Sequence, residues 1–305
     1  MSVKDGFPFD LCLVAEETGD DFERSLSVAR SLRIKQIEFG SLWGQRIDRA
    51  PFGMLVKAEE LLKEFEVEAC VIATEAFKSV LLGGIPLENI GQDPHFLEHL
   101  DLVRAAVEGA RFFGAHMVRV FSFRREVMSG LGNPSPLLIG GGEFPEEMVE
   151  KITEALKPAL KIARDGGVVL AMENVRSCWC NSGRNTSRLL DAVDSPWLKV
   201  IWDPANAFVS GEDDVVGDGY EQVRSKVTHV HLKDAVVLDP ATGLTAWQRI
   251  GDGAVGLQEV LQSLKNDSYK GCVSIETHWR PEKSDREDNT RKTYEGLMEL
   301  LGQPM

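Results

Sequence analysis

Residues 168–174 read VVLAMEN, five apolar residues in a row closed by Glu173 and Asn174. A strand with one wet face alternates apolar and polar side chains. One that is apolar at successive positions has both faces covered, as in a parallel sheet wrapped by helices. Working outward from Val168–Asn174, further strand-like runs follow at Leu198–Asp203, Val227–Leu232 and Gly271–Thr277, and others precede it at Asp10–Val14, Ile34–Phe39, Ala69–Ala73 and Met117–Phe121.

Segments with helical spacing lie between and after these runs: Asp21–Leu32, Phe52–Phe65, His95–Phe113, Pro145–Arg164, Thr186–Val193, Tyr220–Ser225, Leu257–Leu264 and Asp285–Leu301. Pro145 sits where a first-turn proline is tolerated. Eight strand–helix units in 305 residues, with no linker or repeat between them, predict one α/β domain over residues 1–305, a (β/α)8 TIM barrel. A doubly wound open sheet is the alternative. Long loops are expected at Phe123–Phe144 and Ala235–Gly256, on the face where such loops act as lids or set specificity.

The net charge of −14, with no block of Lys or Arg, lacks the concentrated positive charge of a nucleic-acid groove. Five cysteines, most of them in apolar runs, point to a reduced, cytoplasmic chain. Cys178-Trp179-Cys180 has the wrong spacing for a redox or zinc motif. The start MSVKDGFPFD has no apolar signal core, and no run approaches the length of a membrane span, so no membrane partner is expected. Gly251-Asp-Gly253-Ala-Val-Gly256 matches a dinucleotide-binding pattern, but about twenty residues separate it from the preceding strand. It therefore reads as a tight turn into the next helix.

Active sites of such barrels lie at the C-terminal ends of the strands. Glu173, Asp203, His231 and Glu276 each stand at that end of an apolar run, on strands five to eight. A buried carboxylate is costly unless paired or bound to a cation, and three converging ones repel one another. One divalent metal ion resolves the conflict. Three oxygen ligands and one imidazole suit Mn²⁺, with Mg²⁺, Co²⁺ or Zn²⁺ as alternatives. The competing reading makes each residue a separate polar strand end, satisfied by a loop or a lysine.

Around this set, Lys233 shares the parity of His231 and reaches toward the mouth, for a substrate oxygen or a ligand carboxylate. His229, on the same side one layer down, reads as a buried, hydrogen-bonded imidazole. Arg119 in MVRVF and Glu38 in QIEFG are charges within apolar runs that either pair with each other or line the substrate end. His278 lies two residues past Glu276 and is a further substrate-binding candidate. Trp43, Trp179, Trp202 and Trp247 fall near strand ends, as packing or as sugar-stacking faces.

The stretches MEN at 172–174, WDPANAF at 202–208, HVHLKD at 229–234, and IGDGAVG followed by GCVSIETHW resemble the sugar-phosphate isomerase/epimerase superfamily of xylose-isomerase-like barrels. The resemblance is strong over strands five to eight and general over strands one to four. It implies that Glu173, Asp203, His231 and Glu276 are the metal ligands and that Glu173 and Glu276 are also the catalytic acid–base pair. Two positions depart from the ketose 3-epimerase pattern. Asn206 stands where many epimerases carry a substrate-contacting histidine, and Val237 where they carry an arginine.

The expected activity is metal-assisted proton transfer through an enediolate on a small carbohydrate or related polyhydroxy carbonyl compound, as an isomerase or epimerase. A lyase or dehydratase on the same site is the rival. A DNA-repair endonuclease fits poorly, because only six histidines are present and His95, His99 and His116 lie on or beside one helix. A non-catalytic sugar-binding module remains as a separate class. A homo-oligomer is expected from the look-alikes.

Overall fold

In the computed structural model, residues 9–126 and 137–302 are described, and eight parallel strands close into a ring. They are β1 Asp10–Val14, β2 Gln36–Phe39, β3 Glu68–Ala73, β4 Met117–Val120, β5 Val169–Glu173, β6 Leu198–Trp202, β7 Val227–Leu232 and β8 Cys272–Ile275. Each pairs with its successor, and β8 returns to β1 with Leu13 opposite Ile275. The fold is therefore the TIM barrel expected from the doubly buried strands, and the ring itself has no open edge.

The helices are α1 Phe22–Ser31, α2 Phe52–Phe65, α3 Pro94–Phe113, α4 Glu146–Gly166, α5 Gly183–Val193, α6 Pro204–Phe208, α7 Leu257–Asn266 and α8 Arg286–Leu300. Side-chain caps fix several starts by satisfying orphan amides. Asp21 accepts from Glu23 N and Arg24 N, Asp93 from Phe96 N with Pro94 in the first turn, and Asp285 from Asp288 N. Pro145 caps α4 from one residue outside it, just before the first-turn position expected. α5 begins three residues earlier than expected, because Ser182 accepts from Asn185 N and nucleates the turn there.

The sixth unit departs most from expectation. Instead of one helix at Tyr220–Ser225, the chain forms the short α6, then a π turn at Val215–Tyr220 and a single α turn at Glu221–Val223. The cause is local capping. Asp203 accepts from Asn206 N at 2.7 Å and starts α6 at once, and Asp214 accepts from Val216 N and Gly217 N and starts the π turn. Strand ends also move inward, since Phe121, Asn174, Asp203 and Thr277 lie just past the strands that were expected to include them.

Part of the long connection after β7 is a hairpin, Asp234–Asp239 paired with Leu244–Gln248. Of the expected loop Phe123–Phe144, residues 127–136 lie outside the described residues, and Ile139–Gly141 form a 3₁₀ turn. The glycine-rich run after the hairpin wraps an internal anion. Asp234 accepts from Gly251 N at 3.0 Å, Gly253 N at 3.1 Å and Val255 N at 3.3 Å. The pattern that mimics a nucleotide loop thus folds around a carboxylate of its own chain, as the turn reading anticipated.

This packing has measurable consequences. A β-carbon at Gly253 would lie 2.0 Å from Asp234 Oδ1 and 2.8 Å from Ala235 N. Gly253→Ala should cost about 1–3 kcal/mol in denaturant unfolding, the scale of overpacking; unchanged stability would refute this contact. Glu212 is buried beside Gly183 N, at 3.0 Å, and burial pushes its carboxyl up to about 8. The folded state then binds an extra proton between the ordinary carboxyl pKa and about 8, so stability falls as pH rises through that window. Glu212→Gln should flatten that decline in Tm against pH.

Candidate metal centre at the C-terminal mouth

Glu173 ends β5, Asp203 and Glu276 directly follow β6 and β8, and His231 lies inside β7. Their ligating atoms lie within 4.8 Å of one another, and all four side chains are buried. His231 Nδ1 is 3.5 Å from Glu173 Oε1 and 3.2 Å from Glu276 Oε2. The strand ends predicted as ligands therefore converge at one depth.

The orientation of His231 is set from beneath. Its Nε2 lies 3.0 Å from Glu38 Oε2, so Nε2–H donates to that carboxylate and Nδ1 faces Glu173 and Glu276. Nδ1 is buried with no hydrogen-bond partner. A carboxylate behind a ligating histidine is the usual way to fix tautomer and raise basicity. Glu38, expected either to pair with Arg119 or to line the substrate end, is fully buried under the site, 4.0 Å from Arg119. Among the described residues it does not line the cleft.

Two asparagines lock the rim. Asn174 Nδ2 donates to Asp203 O at 2.8 Å, and Asp203 N donates back to Asn174 Oδ1 at 2.8 Å. Asn206 Nδ2 donates to Glu173 Oε1 at 3.0 Å and to Asn174 O at 2.9 Å. Asn206 thus holds a ligand carboxylate while also facing the cleft. Asn174, which holds the Asp203 backbone at the rim, is not singled out by the sequence reading; its place beside Glu173 at a strand end, within MEN, is the available signal.

Cations meet the carboxylates from the mouth. Lys233 Nζ lies 2.7 Å from Asp203 Oδ2 and 2.6 Å from Glu276 Oε2, and Arg119 lies 3.2 Å from Glu173 Oε2. His278, about one-third exposed, lies 3.1 Å from Glu276 Oε1 and packs edge-on against Trp247. Trp202 is wholly buried, Trp179 stacks on Phe144, and Trp43 packs against Phe22, all as structural aromatics.

These contacts set the ionisation states. Burial opposes the Glu173 anion, but Arg119 and His231 outweigh it and hold the carboxyl down at about 2. Burial likewise opposes the Glu276 anion, and Lys233 and His278 keep its carboxyl well below the usual range. Asp203 is pushed up to about 6 by burial, with the Lys233 ammonium resisting. Burial disfavours charge on His231, yet the Glu38, Glu173 and Glu276 carboxylates outweigh it and raise its pKa well above the ordinary value. Three carboxylate oxygens and an orphaned imidazole nitrogen, pre-oriented and dry, fit one divalent cation.

Known proteins share this geometry's framework. Residues 26–300 match the model of the xylose isomerase-like TIM barrel family. The chain belongs to that family. Within it, "Inosose dehydratase 2" of Bacillus cereus is 26% identical over 254 residues, covering 79% of this chain and 80% of the relative. Among solved structures of similar fold, the IolI protein with a bound zinc atom has TM-score 0.71 and 17% identity, covering 96% of this chain and 98% of its own. The structure of L-ribulose 3-epimerase has TM-score 0.70 and 13% identity, covering 96% and 95%. Proteins similar to this chain thus carry the names of an inosose dehydratase, by sequence, and of an L-ribulose 3-epimerase, by fold. Among the described residues no helix is long and apolar enough to cross a membrane.

Removing the support under His231 should weaken metal binding without unfolding the barrel. Glu38→Gln is expected to lower affinity about 10–100-fold, the usual effect of losing the partner behind a ligating histidine. His231→Ala should lower it further. Competition with a chelator measures both, and wild-type affinity in Glu38→Gln would contradict the role given to that carboxylate.

Proposed function

We propose that this chain is a divalent-metal-dependent isomerase or epimerase that shifts a proton on a ketose, keto-sugar or related polyhydroxy carbonyl compound. The observation that carries the reading is the pairing of two glutamates, Glu173 and Glu276, both held as anions on either side of one ligand cluster. When bound there by Glu173, Asp203, His231 and Glu276, a divalent cation supplies Lewis-acid polarisation of substrate oxygens. The oxygen-rich donor set favours Mn²⁺, with Mg²⁺, Co²⁺ and Zn²⁺ as the other candidates.

One glutamate removes the proton from the carbon beside the carbonyl and becomes a carboxylic acid, leaving an enediolate; it returns that proton to the neighbouring carbon, or the other glutamate, once it has taken a proton from solvent, delivers one to the opposite face. Both carboxylates are deprotonated at neutral pH, so either can begin as base. Asn206 keeps Glu173 aimed, and Lys233 does the same for Glu276. Arg119, Lys233 and His278 offer donors to hydroxyls of a bound substrate, in a cleft of about 340 Å³ that also exposes Glu16, Glu75 and Lys78. That size and polarity suit a compound rich in hydroxyl groups.

The second reading is a dehydratase, in which the same enediolate expels a β-hydroxyl as water. It is favoured by the inosose dehydratase relative and by Asn206 and Val237 standing where ketose 3-epimerases carry histidine and arginine. In this reading His278, at the edge of the cleft 3.1 Å from Glu276, would protonate the departing oxygen.

Incubating Mn²⁺-loaded protein in D₂O with ketoses, keto-acids and inososes separates the readings. Gain of one deuterium without mass loss marks isomerase or epimerase chemistry; loss of water marks the lyase. In either case Glu276→Gln should cut kcat by about 10²–10⁴-fold, the scale of a lost general base. Full turnover in that variant would sink both.

A further inference from the structure

Beneath Glu38, on the side away from the carboxylate cluster, thiols and an imidazole meet inside the barrel. Cys272 on β8 and His229 on β7 are register partners on adjacent strands, and Cys70 comes from β3 across the ring. Cys70 Sγ lies 3.9 Å from His229 Nδ1, and the ligating atoms of Cys70, His229 and Cys272 fall within 4.8 Å of one another. Cys12 on β1 packs in the same interior cluster, against Cys70, Ala171 and Ile201. All five cysteines of the chain are free thiols.

His229 is turned toward the sulfurs by the same carboxylate that orients His231. Its Nε2 is 3.0 Å from Glu38 Oε2 and 2.7 Å from Ser274 Oγ, while Ser274 Oγ donates to Glu38 Oε2 at 2.7 Å. A lone pair on Nε2 would face an anion, so Nε2 carries the proton and Nδ1 presents its lone pair to Cys70, with the Cys272 thiol in the same cluster. Filling the barrel interior would require only small apolar side chains. It would not require an imidazole braced by a carboxylate and aimed at two thiols.

We propose that Cys70, Cys272 and His229 form a second metal site, for Zn²⁺ or a similar thiophilic d-block cation, at the N-terminal end of the barrel interior. A tetrahedral ion with bonds of about 2.3 Å to sulfur and about 2.05 Å to nitrogen sets those atoms about 3.6 Å apart. The observed 3.9 Å needs only a small inward shift. Soft sulfur donors select zinc-like ions over Mg²⁺ or Mn²⁺, the reverse of the oxygen-rich cluster above. Coordination as thiolates releases two thiol protons to solvent. A cavity of about 1450 Å³ at this end of the barrel reaches Cys70 and Cys272, with Thr228, Gly271 and Met117 also on its wall. Because Glu38 Oε2 contacts both histidines, an ion here stiffens the support of His231 without touching substrate.

The test uses the whole chain, stripped with a chelator under reducing conditions and reloaded with Co²⁺ alone. Wild-type protein should take up about two equivalents and show a thiolate-to-cobalt charge-transfer band, because coordinated thiols are deprotonated outright. The Cys70→Ser/Cys272→Ser double variant should lose that band and one equivalent. His231→Ala should lose the other equivalent and keep the band, so the two sites report separately. In wild-type protein, Zn²⁺ should also slow alkylation of Cys70 and Cys272 at least about tenfold, since the thiolate is the nucleophile and the metal holds it. Absence of the charge-transfer band together with unprotected thiols, both read on wild-type protein, would overturn the proposal while leaving the catalytic reading untouched.

Discussion

Three carboxylates pointing at one another in the dry mouth of a barrel repel, and the surrounding structure is organised by that repulsion. Each anion costs several kcal/mol to bury unless opposite charge or hydrogen bonds compensate it. The compensation comes from three neighbours: Lys233 between Asp203 and Glu276, Arg119 against Glu173, and the imidazole of His231 between the two glutamates. Together they keep both glutamates ionised, which is the state that ligates a cation and the state that accepts a proton from carbon. The same charge balance would serve both the cation binding and the proton transfer proposed above.

Rigidity under the site comes from polar groups that never face the cleft. A single oxygen of Glu38 receives His229, His231 and Ser274 from two adjacent strands. Asn174 and Asn206 tie the ends of β5 and β6 to each other. Such groups are stable in a barrel interior only because each finds a partner within the ring. The result is a set of candidate ligands held within or immediately after strands rather than far out on loops, as accurate positioning requires.

Much of this is legible in the chain. Apolar runs ending in acid or imidazole identify the strands of the second half and the four residues that converge at the mouth, since charged groups at the ends of doubly buried strands gather at one end of the ring. Glu38 is harder to read. Its parity places it inside the barrel, but parity carries no depth, and only the register of β1, β2 and β3 puts it beneath His231 rather than beside substrate. Arg119 shows the same limit, because it lies closer to Glu173, from the neighbouring strand, than to Glu38. The helix expected at Tyr220–Ser225 is helical there but begins at Val215 and is divided into short turns, because Asp214 caps an earlier start and a cap says nothing about how long the turn continues.

By itself, then, the sequence determined the alternation of strands and helices, the barrel that this alternation closes into, and the chemical types gathered at its mouth, because these depend on local burial pattern and on which end of a strand a residue occupies. Only the tertiary structure decided which groups meet: Lys233 across two carboxylates, Asn206 on Glu173, one glutamate shared by two histidines, and thiols from β3 and β8 facing one imidazole. Those pairings join residues many positions apart. They are fixed by the stagger of neighbouring strands around a closed ring, a quantity that no single stretch of sequence carries.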